Sequence, residues 1–450
     1  MGNKVKLGEL LEVLTDYHAN GAYKKLKENV ELLDSPDYAV MIRTTNFEQS
    51  NFSDSLKFIT KHAYDFLAKS KVYPNDIIMN KIANAGSSYL MPDLGRPVSL
   101  AMNLFLLRVD AEKVNPRYLY LFLKINEAYV KSFANGSVTK TITKEAVRNL
   151  DIELPSRLIQ DKIVKQFSDI NEKITLNNQI NQTLEQMAQT LFKSWFVDFD
   201  PVKAKMNGEQ PKGMDAPFLS KEVASLFPEK LVESELGLIP EGWEVMGLPS
   251  GTLFREGPGI LAKDFHEKGV PLIRLAGLKN GVSLLDGCNY LDPEKVDKKW
   301  KHFLLQEGDI LLSSSASLGR VAEVTKQSEN SIAYTGIIGF RPIEGVTTRK
   351  YLKYFIQSRN FQRQIEAFGV GSVLKHFGPT HLKKMWILLP PVSIQDKFEQ
   401  LVLALDEKIQ TGLEQNQSLS NLRDTLLPKL LSGEIDLENL QVEQAKALAE

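Results

Sequence analysis

Ile152-Glu153-Leu154-Pro155, followed by Ile159-Gln160-Asp161-Lys162, returns as Ile387-Leu388-Leu389-Pro390, followed by Ile394-Gln395-Asp396-Lys397. The match continues without a gap. Glu172-Lys173-Ile174 pairs with Glu407-Lys408-Ile409, Asn181-Gln182 with Asn416-Gln417, and Thr190-Leu191 with Thr425-Leu426. Roughly a third of about forty paired positions are identical, well above the level of unrelated segments, so the chain contains an internal repeat.

A weaker echo extends upstream. Gly136-Ser137-Val138 with Lys140 matches Gly371-Ser372-Val373 with Lys375, and Tyr118-Leu119 matches Tyr351-Leu352. Asp76-Ile77 with Gly86 matches Asp309-Ile310 with Gly319, and Ile42-Arg43 matches Ile273-Arg274. The order is block (1–153), helix (154–196), connector (197–240), block (241–388), helix (389–432) and tail (433–450). The helices stayed alike while the blocks diverged. Each helix therefore does one common job, and each block does its own version of another.

Apolar residues in both helices fall at three- and four-residue steps. The first has Ile159, Ile163, Phe167, Ile170, Ile174, Ile180, Leu184, Met187, Leu191 and Trp195. The second has Ile394, Phe398, Leu401, Leu405, Ile409, Leu413, Leu419, Leu422 and Leu426. Such spacing predicts a coiled-coil seam. Pro155 and Pro390-Pro391 precede the helices, and Ser432-Gly433 ends the second. Each helix would run about 60 Å at 1.5 Å per residue. Asn181 and Asn416 stand at equivalent places near the seam, where an inward register role and a solvated one both remain open. Because the chain passes through a second block before its second helix, the helices can pair antiparallel about a pseudo-twofold axis. Such a rod would hold the blocks apart by about one duplex turn, roughly 34–36 Å.

The blocks read as short apolar runs between turns: 38–42, 76–79 and 104–109 in the first; 271–275, 309–312 and 332–340 in the second. With helices near 117–133 and 349–368 they predict mixed α/β units, and the whole chain an α+β fold with a long antiparallel helix pair. Arg43 and Arg274 close equivalent strands and precede loops containing Thr44 and Asn46 or Lys279. Arginine and asparagine read guanine and adenine bidentately, although an ion-pair role is open for either arginine. The loops after the Asp76 and Asp309 strands carry Lys81 and Asn84, or Ser314, Ser315 and Arg320, and suit close approach to DNA or a plain turn. Ser137, Lys140, Ser372, Lys375 and His376 follow the paired Gly-Ser turns and are candidates for phosphate or for solvated loop positions.

The overall charge is −1. It conceals two mildly basic blocks, with about 20 basic residues against about 16 acidic in 1–150 and about 20 against about 15 in 240–388. Charge permits nucleic acid without proving it. Cys288 is the single cysteine, which excludes an internal disulfide, and the histidines show no ligand-like pairing. No apolar run is long enough to span a bilayer, and the N-terminus has no signal-peptide core, so a cytoplasmic location is expected. There is no phosphate-binding Gly-x-x-x-x-Gly-Lys-Ser/Thr loop. Asp198-Phe199-Asp200-Pro201 and Leu389-Pro390-Pro391 lack the aromatic motif of amino-methyltransferases. Pro36-Asp37 and Pro92-Asp93 lack the acidic-x-Lys that a nuclease needs. The expectation is a chain without catalysis, cofactor or metal of its own.

The connector adds distinctive words: Ser194-Trp195-Phe196-Val197-Asp198-Phe199-Asp200-Pro201-Val202, Leu226-Phe227-Pro228, Ser234-Glu235-Leu236-Gly237 and Ile239-Pro240-Glu241-Gly242-Trp243. With Leu427-Pro428-Lys429-Leu430-Leu431-Ser432-Gly433-Glu434, these resemble the specificity subunits of type I restriction-modification enzymes over essentially the whole chain. The resemblance implies that each block is a target recognition domain reading one half of a bipartite duplex site. It implies that the helices and connector dock two modification subunits, which carry S-adenosylmethionine and methylate adenine N6. It also implies further restriction subunits that use ATP and Mg²⁺ to move along and cut DNA. The flipped adenine would enter the modification subunit. Two rival readings stand beside it: a chain that itself methylates or cuts DNA, and a coiled-coil scaffold whose blocks bind proteins.

Overall fold

A computed structural model describes residues 3–136, 139–208, 221–279, 283–315, 318–368 and 377–435. These form two compact units, one from the described residues of Met1–Ile174 and Gln417–Glu450, the other from those of Thr175–Asn416. Each unit holds one block and part of both long helices.

In the first unit, a four-stranded antiparallel sheet runs in the order Leu11–Asp16, Leu104–Val109, Ile77–Asn80, Ser88–Leu90. A second sheet has the order Phe58–Ile59, Ala39–Ile42, Val98–Leu100, Lys71–Val72, with its two central strands parallel. The apolar runs of the first sheet are buried on both faces, which explains why they are nearly continuous in sequence rather than alternating. Ile77, Met79, Phe105 and Leu107 face a core shared with Tyr118 and Leu119. Ile78, Leu104 and Leu106 face another, shared with Val40 and Ile42 of the second sheet. Strand Asn3–Lys6 pairs antiparallel with Asp151–Leu154 and ties the start of the block to the base of the first long helix.

The second unit repeats this plan. Its four-stranded sheet has the order Thr252–Glu256, Ile337–Pro342, Ile310–Ser313, Val321–Glu323. Val270–Ile273 lies between Asn289–Leu291 and the parallel strand Ile332–Ala333. Glu244–Gly247 pairs with Trp386–Leu389 as Asn3–Lys6 does with Asp151–Leu154.

Three segments differ from the sequence expectation. The run 332–340 is two strands in different sheets, because the chain turns at Tyr334, where Ile337 N–H donates to the Tyr334 carbonyl at 3.1 Å. The helix expected at 117–133 is Pro116–Ile125 and Glu127–Ser132, parted at Asn126. That at 349–368 is Arg349–Gln357 and Arg359–Ala367, parted at Ser358, whose hydroxyl caps the second piece.

The long helices are Arg157–Phe196 and Val392–Leu431, forty residues each. Within the first unit, Ile163 and Phe167 share a core with Leu427 and Leu430, and Arg423 Nη1 donates to Asn171 Oδ1 at 3.1 Å. Within the second, Leu184, Ala188, Phe192 and Trp195 share one with Ile394, Phe398, Leu401 and Leu405. In each unit the early part of one helix meets the late part of the other, so the pairing is antiparallel. Ile163, Phe398 and Leu405 are buried; Phe167, Ile170, Ile174, Leu184, Leu401, Ile409 and Leu419 are half-buried.

Ile180, Met187 and Leu422 correct the expected seam. They are 45%, 38% and 47% exposed, while Asn177, Asn181 and Ala188 turn inward. Three- and four-residue steps leave two neighbouring positions equally eligible, and hydrophobicity alone chose the wrong one here.

The connector is core material of the second unit. Val202, Val223, Phe227, Ile239 and Trp243 pack with Phe192, Trp195, Phe196 and Phe398. Trp195 meets Phe227 edge-on with centroids 5.1 Å apart. Among the described residues, no helix is long and apolar enough to cross a membrane.

Candidate nucleic-acid interface

The two blocks share their internal bracing. In the second, Arg341 Nε and Nη2 donate to the two carboxylate oxygens of Asp309 at 2.7 and 2.6 Å. In the first, Arg108 makes the same fork on Asp76, at 3.0 and 2.8 Å. Each arginine also donates to a backbone carbonyl at the equivalent place, Leu304 or Lys71. Each braced strand then ends in the same tight loop. Gly86 N–H donates to the Asn80 carbonyl at 2.8 Å, and Gly319 N–H to that of Ser313 at 3.1 Å. Both glycines have φ near the same positive value, +94° and +93°, a conformation that a side chain would strain. One scaffold thus presents two loops of different composition.

In the first block, Lys81, Asn84 and Lys140 come together. Ala83 N–H donates to the Lys140 carbonyl at 3.1 Å, and Ile142 N–H to that of Lys81 at 3.0 Å. Lys140 and Asn84 are exposed, and Asn84 Oδ1 accepts from Lys131 Nζ at 2.6 Å. Lys81 instead reaches Asp16 at 3.1 Å, opposite Lys144 at 3.0 Å. Burial raises the Asp16 pKa, but hydrogen bonds from Lys144 and Lys81 outweigh it and hold the carboxyl below its ordinary range.

Arg43 and Asn46 stand at a neighbouring turn, joined to this loop through Asn80, whose Nδ2 lies 3.4 Å from Glu48 Oε1. Asn46 is only 4% exposed. Its Oδ1 accepts from Arg43 N–H at 3.0 Å and its Nδ2 donates to the Asn51 carbonyl at 3.2 Å, so both ends of the amide hold the loop. Thr44 is half-buried at the first position of helix Thr44–Glu48. Arg43 Nη2 donates to the Ser55 carbonyl at 2.9 Å, while its Nε is buried without a partner.

In the second block, Arg274 follows strand Val270–Ile273 and is held over the Tyr334 ring at 4.2 Å, with Phe265 at 5.6 Å. Its Nη1 donates to Asn289 Oδ1 at 3.1 Å. The turn after Tyr334 also receives the serine loop: Ser314 N–H donates to the Gly336 carbonyl at 2.8 Å. Ser314 Oγ is buried without a partner, Ser315 and Arg320 are half-buried, and Arg320 N–H donates to Ser313 Oγ at 2.9 Å. Lys279 is exposed beyond the turn Leu275–Leu278. Ser137, Ser372, Lys375 and His376 lie outside the described residues.

Sequence reasoning missed Tyr334, Phe265 and Asn289, which orient Arg274, and Asp16, which engages both Lys81 and Lys144. Tyr334 and Asp16 lie sixty or more residues from their partners, and Phe265 and Asn289 lie on other segments that meet Arg274 only in the fold, so no local spacing could announce them. Among the described residues, no group of three or more His, Cys, Asp or Glu side chains is placed to hold a metal ion.

The type I restriction modification DNA specificity domain matches the chain twice, at residues 3–186 and 240–420. The type I restriction enzyme HindI specificity subunit of Haemophilus influenzae is 27% identical over 409 residues, spanning 82% of this chain and 88% of that protein. The MjaIX specificity subunit of Methanocaldococcus jannaschii is 26% identical over 343 residues, spanning 74% and 72%. Among solved structures, a type I restriction-modification S subunit from M. genitalium aligns over 96% of each chain at 15% identity, with a TM-score of 0.49.

Proposed function

The chain belongs to the type I restriction modification DNA specificity family, and from that premise we propose that it selects a bipartite duplex sequence for a restriction-modification complex. Each block reads one half-site. The paired helices set the spacer and, with the connector, dock two modification subunits. Those subunits supply S-adenosylmethionine and methylate adenine, and restriction subunits supply ATP- and Mg²⁺-dependent movement and cleavage. This chain chooses the site and contributes no catalysis of its own. Acting on chromosomal DNA, it belongs in the cytoplasm.

The observation that carries this reading is one braced hairpin used twice with different loop residues, as expected of two readers tuned to two sequences. Arg274 is the base-reading candidate of the second block, since Tyr334 and Asn289 support its planar head and leave donors for a guanine edge. Lys140, Lys279 and Arg320 are candidates for phosphate, and Arg43 and Asn84 for either. Asn46 is a support for Arg43.

Titrating the chain and its modification subunits with duplex DNA at several salt concentrations tests the reading. Phosphate contacts require a steep fall of log affinity with log salt, and a specific duplex must outcompete random sequence by roughly a thousandfold or more. Equal affinity for every duplex would remove the selecting role.

A further inference from the structure

Within the second unit, charged side chains crowd the place where helix Arg349–Gln357 lies against both long helices. Lys350 and Lys353 have side chains only 5% and 13% exposed. Lys350 Nζ donates to both oxygens of Glu323, at 2.6 and 2.5 Å, and stands 2.5 Å from Asp406 Oδ2. Lys353 Nζ lies 3.6 Å from Glu323, 3.8 Å from Asp406 and 4.0 Å from Glu185. Tyr354 donates its hydroxyl proton to Glu185 at 3.2 Å, and Arg349 Nε donates to Glu399 at 2.9 Å. Glu185 is on the first long helix, Glu399 and Asp406 are on the second, and Glu323 ends the edge strand Val321–Glu323. One helix face is thus tied by charge to three elements. Burial works against the Lys353 charge, but Asp406, Glu323 and Glu185 outweigh it and hold the ammonium more firmly protonated than usual.

The repeat offers a control inside the same molecule. At the equivalent positions the first unit has Pro116, Arg117, Tyr120 and Leu121 on the helix, Leu90 on the edge strand, and Val164, Asn171 and Ser420 on the long helices. None of the four acids recurs. Tyr120, Leu90 and Val164 pack there against an apolar core. Apolar contacts tolerate small slides, whereas a buried charge moved off its partner is left uncompensated. The first block placed on the helix end of the second unit would bring Arg117 alone to Glu185, Glu399 and Asp406, with Pro116, Tyr120 and Leu121 in place of Arg349, Lys353 and Tyr354. The second block on the other end would carry Glu323 with it but set its two ammonium groups against Val164, Asn171 and Ser420 in place of Asp406 and Glu185.

We propose that this ion cluster keys the second block to its own helix end in one fixed orientation, making Lys350 and Lys353 positioning residues for the second half-site. The proposal rests on the DNA-selecting function above.

The test uses the full chain with its modification subunits and duplexes whose half-sites have the native spacing or one changed by a base pair. One variant, Lys350→Met/Lys353→Met/Glu185→Gln/Glu323→Gln/Asp406→Asn, neutralises the cluster apart from the Arg349–Glu399 pair. A lighter one, Glu185→Gln/Tyr354→Phe, cuts only the link to the first long helix and leaves the buried Lys350 pairs intact. The neutral variant should bind the native duplex within about threefold of wild type, while its preference over altered spacings falls about tenfold or more. The lighter variant should lose about threefold of that preference. Unchanged spacing preference in the lighter variant overturns the proposal, whether or not the neutral one folds. A loss of affinity equal across all duplexes overturns it too, because that marks stability alone. A wild-type complex without sequence preference would take down the DNA-selecting reading and this proposal together; wild-type preference with unaltered variants sinks only the proposal.

Discussion

The side chain of Asn181 lies against Gly412, so closely that a Cβ at that glycine would stand 2.6 Å from Asn181 Oδ1. Both amide atoms of Asn181 are buried without a partner. Its repeat counterpart fares differently: Asn416 Oδ1 accepts from Asn177 at 3.0 Å, and its Nδ2 donates to Asn178 at 2.8 Å. Asn177 stands where the repeat places Gly412, so the pseudo-symmetry is broken by one missing side chain.

Asn181→Leu should therefore stabilise the chain by about 1 kcal/mol, since it removes an unsatisfied buried amide. Asn177→Leu should cost about 1–2 kcal/mol by leaving Asn416 without its donor. Urea midpoints of the two variants check both; equal shifts would mean that the central asparagines act alike.

Asp309→Ala should destabilise the second unit by about 2–4 kcal/mol, because Arg341 loses both hydrogen bonds to a buried carboxylate while remaining partly solvated. Asp76→Ala should act in the same way on the first. Denaturant unfolding of each variant provides the measurement, and a change under about 0.5 kcal/mol would reduce the fork to a surface pair.

Acid should weaken the first block through Asp16. Its folded pKa is below the unfolded value of about 3.9, so the deprotonated, doubly paired form contributes stability above that value. The contribution fades as pH falls through the lower folded pKa. Asp16→Asn should be less stable than wild type at pH 7 by a difference that holds to about pH 5 and shrinks below about pH 4. A difference constant down to pH 2.5 would exclude the linkage.

Arg274→Ala should relax selection at one base of one half-site by about 1–3 kcal/mol and leave the other half-site as it was. Tyr334→Ala should produce a weaker version of the same change. Mapping methylated adenines in cells expressing the complete system reads both. Uniform weakening over all sequences would make Arg274 a phosphate contact or a support of the fold.

Inserting four residues after both Thr175 and Gln410 lengthens each helix by about 6 Å and should widen the spacer by about two base pairs without altering either half-site. Methylation found at the original spacing would end the ruler role.

The sequence alone determined that the chain is doubled, where its two long helices run, and that the strands at Leu104 and Ile310 are core. These are properties of repetition and of apolar spacing, written in neighbours along the chain. Tertiary structure decided that Asn177 and Asn181 face inward while Ile180 does not, that Asn46 is committed to its own loop, and that Tyr334 carries Arg274. It also decided that Lys350 and Lys353 together meet acids from two helices and a strand. Such choices depend on which distant groups share one desolvated volume, and a buried charge or amide takes its role from those partners rather than from the residues beside it.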